Sequence, residues 1–164
     1  MQYQEKYWRE LDQLKIHVIY LELYQERNIN IDRNVNMFLA IASSSSIASW
    51  AIWSQFSFVW ATLIAFSQVI SAIKSHLPYS KRLKALHGIT NDLEALFLAM
   101  ESDWFAIAEG QLPDDDTHKL HMNYKEKRRI IINKYLGSDP LPVIDSLLAE
   151  ANEQAGQYFK NFYG

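Results

Sequence analysis

From Val35 to Ile73 the chain runs for 39 residues without an aspartate, glutamate, lysine or arginine, and basic residues stand at both ends. Arg33 closes the stretch on one side, and Lys74, Lys81, Arg82 and Lys84 close it on the other. A lipid hydrocarbon core about 30 Å thick takes roughly 20 apolar residues per helical crossing. The stretch therefore has the length for two crossings joined by a tight turn near Ser54 and Gln55.

The two halves differ in composition. The first, 35–53, spans about 28 Å as a helix. Its strongly apolar residues, Val35, Phe38, Leu39, Ile41, Ile47 and Ile52, favour insertion by roughly 2 to 4 kcal/mol in total. Asn36 and the serines 43, 44, 45, 46 and 49 oppose it. The second, 56–73, has nine strongly apolar residues and roughly 3 to 5 kcal/mol of the same advantage, so it is expected to carry its partner in as a hairpin. Small residues four apart (Ala42 and Ser46, Ser45 and Ser49, Ala61 and Ala65) suit close helix packing in lipid. Asn36, Ser43, Ser46 and Trp50 share one helical face, and with several copies assembled they are candidates to line a wet path. Trp50, Trp53 and Trp60 gather near the turn, as at a membrane interface, and the basic flanks predict that both ends stay on the cytoplasmic side.

The remainder of the 164 residues reads as amphipathic helix. Tyr7, Leu11, Leu14, Val18 and Leu21 recur at the 4-3-4-3 spacing of a coiled-coil or bundle seam over 3–28. Asn28 to Asp32 is expected to break that helix. Ser80 is a candidate N-cap for a long helix over 81–109 that carries Leu86 and Leu93. Further helices are predicted over 117–136, closed by Gly137, and over 143–162. Leu11, Leu14, Val18, Leu21, Leu86 and Leu93 are the candidate oligomer interface. The expected fold is all-α: an N-terminal cytoplasmic helix 1–33, a transmembrane hairpin 34–74, and a C-terminal cytoplasmic helical region 75–164 in a bundle. The N-terminus has no apolar signal-peptide core.

Little in the chain points to covalent chemistry. A net charge of −3 gives no case for nucleic acid as a partner, and the lack of cysteine removes thiolate chemistry and disulfides. There is no glycine-rich phosphate loop, no G-x-S-x-G and no H-E-x-x-H. His118 and His121 stand three apart after three aspartates, but an acidic helix start needs no metal to explain it. No catalytic residue, metal or cofactor is expected. Arg82 and His87 match the R-x4-H spacing that resembles the HEPN ribonuclease motif, although residues five apart diverge on an unbroken helix.

The long N-terminal helix, the hydrophobic hairpin and the stretch from Pro78 through Tyr79, Ser80, Lys81, Arg82, Leu83, Lys84 and Ala85 to Leu86 resemble the SLATT family over roughly residues 5–110. These are two-transmembrane effectors of prokaryotic anti-phage defence. The resemblance implies a homo-oligomer in the bacterial inner membrane that breaches it and halts an infected cell, often with a separate sensor or activating protein. The competing expectation is a soluble helical-bundle interaction protein whose hairpin is its most buried pair; a HEPN-like ribonuclease is the third.

Overall fold

The computed structural model describes residues 2–52, 57–76, 79–137 and 140–163, with the side chains of 43–52, 57, 60, 75–76 and 79–81 outside the description. Among the described residues the protein is all-α: α1 (Gln2–Ile52), α2 (Ser57–His76), α3 (Tyr79–Ala108), α4 (Asp114–Leu136) and α5 (Asp145–Tyr163), with no strand. The chain divides into two compact units. One combines Met1–Gln25 with Lys84–Gly164; the other is Glu26–Leu83.

The expected break at Asn28 to Asp32 does not occur, because α1 continues through it. No glycine or proline precedes Pro78. Asparagine and aspartate cost only a few tenths of a kcal/mol in a helix, against about 3 for proline, and Asn36 Nδ2 donates to Asp32 Oδ2 one turn away at 2.9 Å. Ser80 likewise lies inside α3, which begins at Tyr79, and is not its cap. Gly110, Pro113 and Gly137 stand at helix boundaries, whereas Gly88 and Gly156 lie inside α3 and α5. Gly110, at φ 71°, closes α3. Pro113 is the N-cap of α4, whose first turn holds Asp114, Asp115 and Asp116, favoured there by the helix dipole. Gly137, at φ 55°, ends α4 and its N–H donates to Asn133 O. A side chain at either positive-φ glycine would be strained.

The 4-3-4-3 stripe of α1 is real, but its partner is the same chain. Leu11, Leu14, Val18 and Leu21 are at most 1 % exposed, as are Leu86 and Leu93 of α3. All six belong to one core shared with Phe97, Met100, Ala151 and Phe159. The stripe is therefore the interior of one unit and is not available to a second copy. Each of these aliphatic side chains contributes about 1.5–3 kcal/mol by burial. Directional contacts fix the register. Tyr7 Oη donates to Met100 O at 2.9 Å, and Gln4 Nε2 donates to Ile107 O at 2.8 Å. Trp8 packs 4.9 Å from both Trp104 and Phe159, which joins α1, α3 and α5. The Lys15 ammonium sits over the rings of Phe97 and Tyr158 at 4.6 and 4.2 Å.

Helices α3 and α4 meet at Gly88. A Cβ there would overlap the Tyr135 ring, whose Cζ lies 2.9 Å from the site. The ring is pinned because its hydroxyl donates to Asp92 Oδ2 at 2.9 Å. Alanine is the better helix former by about 1 kcal/mol. Even so, Gly88→Ala is expected to lower stability by about 1–3 kcal/mol through overpacking. Chemical denaturation of the two proteins measures this, and an equal or higher midpoint for the variant would show that the ring yields freely.

Candidate functional site

The unit Glu26–Leu83 brings the end of α1 and α2 together as an antiparallel pair. Their base is a polar junction. Lys74 Nζ pairs with Asp32 Oδ1 at 2.8 Å and also donates to Asn36 Oδ1. Asn36, expected on a pore-lining face, is thus occupied at the base of the hairpin by Asp32 and Lys74. Ser43, Ser46 and Trp50 lie on the helical backbone of α1, but their side chains lie outside the described residues. So do the turn at Ser54 and Gln55 and the side chain of Lys81. Arg33, Arg82 and Lys84 are exposed.

Beyond the junction the surface turns apolar. Met37, Phe38, Ile41, Phe58, Val59, Phe66, Val69 and Ile73 are all exposed, Phe58 to 83 %. Among the described residues of this unit only Ala42 is buried. Phe38, Phe58, Val59, Leu63 and Phe66 frame an open apolar groove of about 530 Å³. Two helices alone have too little facing surface to hide so many large side chains. Two hydroxyls of α2 bond to the backbone of their own helix: Thr62 Oγ1 donates to Phe58 O at 2.9 Å and Ser67 Oγ to Ile64 O at 2.8 Å. Side chain-to-backbone bonds of this kind satisfy hydroxyls where no solvent is present. Still, no helix among the described residues is long and apolar enough to cross a membrane. The transmembrane hairpin expected from sequence therefore has no support from the apolar length of either helix.

The residues considered for other chemistry have ordinary surroundings. His87 is exposed, its Nδ1 3.5 Å from Gln25 Nε2 and its Nε2 3.3 Å from Asn91 Nδ2. His118 and His121 diverge. The His118 ring lies tilted against Tyr3, centroids 5.2 Å apart, while His121 Nε2 lies 3.7 Å from Glu10 Oε2. No group of three potential metal ligands occurs among the described residues.

One cluster had no sequence signal that singled it out. Arg128 of α4 donates through Nη1 to Glu10 Oε1 at 2.6 Å and through Nη2 to His17 Nδ1 at 3.0 Å. Glu10 and His17 stand seven apart, on one face of α1 beside the apolar seam. Since Nδ1 accepts from arginine, the imidazole carries its hydrogen on Nε2. Burial, helped by the Arg128 charge, lowers the His17 pKa from 6.5 to about 4. Burial also lowers that of His121, against the opposing pull of Glu10.

A depressed histidine pKa means that the unfolded chain takes up protons before the folded one does. Stability is then complete above pH 6.5 and falls as pH drops toward 4, by up to about 3 kcal/mol for His17. In thermal melts at stepped pH, the difference between wild type and His17→Gln is expected to open across that window. Parallel curves would show that His17 is not the titrating group. No known protein family, curated protein or solved structure matches this chain.

Proposed function

We propose that the protein is an oligomeric membrane effector. Its 34–74 hairpin enters the bacterial inner membrane, both ends of the chain remain cytoplasmic, and several copies together breach the bilayer. The anti-phage role implied by the resemblance to SLATT proteins supplies the biological setting, with a sensor or activating protein as the trigger. One observation carries the reading: large side chains such as Phe58, Phe66 and Val69 stand uncovered on the charge-free stretch 35–73. Exposed apolar patches of this extent mark surfaces meant for lipid or for other protein. The backbone-bonded hydroxyls of Thr62 and Ser67 suit lipid, and the neutralised Lys74–Asp32 junction lessens the cost of holding charge near its edge. Insertion is assigned to the helix pair and not to one helix alone.

The limited apolar length of the described helices favours a second reading, in which the same surface docks on helices of another protein. Carbonate extraction separates the two. The membrane reading requires wild-type protein in the washed pellet, whereas a docking surface leaves it in the supernatant. Ala65→Arg places a cation near the middle of α2 at a cost of about 2.5–3.5 kcal/mol for insertion. It is expected to release the protein, and unchanged pelleting would reject lipid burial of that segment.

A potential-sensitive dye tests the breach itself. Wild type, triggered where necessary, should depolarise expressing cells. Ser43→Leu with Ser46→Leu should insert at least as well yet fail to depolarise, because a wet path needs polar walls. Equal depolarisation would mean that these serines pack the hairpin and line nothing.

A further inference from the structure

The unit built from Met1–Gln25 and Lys84–Gly164 contains a cavity of about 670 Å³ that the membrane reading does not use. That volume lies in the range of roughly 300–1,000 Å³ typical of small-molecule sites. Its walls come from three places in the sequence: α1, α4 and the segment 140–148. The segment is held over α1 by one hydroxyl, since Tyr20 Oη donates to Pro142 O at 2.7 Å and accepts from the Ile144 N–H at 3.1 Å.

The lining is divided by chemistry. Ile16, Ile132, Leu136, Leu141, Val143 and Leu148 supply apolar wall. Gln13, His17 and Arg128 form a contiguous polar end: Gln13 and His17 are one helical turn apart, and Arg128 Nη2 reaches His17 Nδ1 at 3.0 Å. That end offers donors. The guanidinium has only donors, and His17 is left with its hydrogen on Nε2. Glu10 takes one of the arginine N–H groups from outside the cavity and is not part of the lining, which holds no carboxylate among the described residues. Glu10 and His17 take up only two of the five guanidinium N–H groups, so the bonding capacity of the group is not used up.

We propose that this cavity binds a medium-chain amphiphile with an anionic head, its alkyl chain along the aliphatic wall and its carboxylate at the Gln13–His17–Arg128 end. A cationic head would face the N–H donors of Arg128 and His17, and a wholly apolar molecule would leave them unmet. The inference does not depend on membrane insertion.

The test uses the full chain and decanoic acid bearing a terminal diazirine, with the sites of photolabelling mapped by peptide mass spectrometry. Adducts are expected in peptides holding Ile16, Leu136, Leu141 and Leu148. Excess decanoate should suppress them and decyltrimethylammonium should not. Two exposed positions allow variants that spare the core. Gln13→Glu puts an anion beside the head and should cut labelling about tenfold, while Gln13→Lys should raise it. Leu148→Glu should lower it by a similar factor, about tenfold, through the wall. Adducts confined to Phe38–Phe66, suppression by the cation as strong as by decanoate, or insensitivity to the sign of charge at residue 13 would overturn the proposal. The hairpin may fail to enter lipid without altering any of these outcomes.

Discussion

The row of α1 side chains from Tyr7 to Tyr24 must leave water, and the unit of Met1–Gln25 with Lys84–Gly164 is arranged around that requirement. Helices α3, α4 and α5 each meet it with a different contact: Met100 O takes the Tyr7 hydroxyl, Tyr124 packs edge-on to the Tyr7 ring at 6.2 Å, and Phe159 lies against Trp8. Because Leu11, Leu14, Val18 and Leu21 are used up in this way, any association between copies has to be built from other surfaces. The same helix then enters the second unit, where its apolar residues Met37, Phe38 and Ile41 remain uncovered. One continuous element thus serves a finished interior at one end and an unfinished one at the other.

The all-α character was plain from the spacing of apolar residues, and so was the seam, since Leu11, Leu14, Val18 and Leu21 repeat at bundle spacing. What the seam packed against was not legible. A stripe looks the same whether its partner is a second copy or a helix 80 residues later, because periodicity records a face and not a neighbour. The helix boundary misplaced at Asn28 to Asp32 has a similar origin. Polar residues with modest helix propensity suggest a loop, yet they cost a helix only a few tenths of a kcal/mol, against about 1 for glycine and about 3 for proline. Boundaries marked by Gly110, Pro113 and Gly137 were readable for that reason.

The candidate site was legible in part. Absence of charge located the hairpin, and Lys74 was singled out as its flank, but its pairing with Asp32 and with Asn36, expected on a pore-lining face, was not foreseen. The Glu10–His17–Arg128 cluster escaped notice because its members are more than 100 residues apart in sequence. Its only trace is two polar residues, seven apart, at the margin of an apolar stripe. Over the charge-free run, sequence and structure agree about composition and differ about sufficiency. A charge-free run has the length for two passes, but neither described helix alone is apolar enough for one.

The hydroxyl of Tyr20 has a geometric consequence out of proportion to its size. It grips Pro142 O and the Ile144 N–H, the last points of the connecting segment before α5 begins at Asp145. A slip of one residue at that grip would turn the whole of α5 by about 100°. Ala151, Ala155 and Phe159, the inward face of a 19-residue helix, would rotate away from the core together. The two prolines at 140 and 142 have no N–H of their own to compete for the grip. A single oxygen on the first helix therefore acts as the index mark against which the last helix is set.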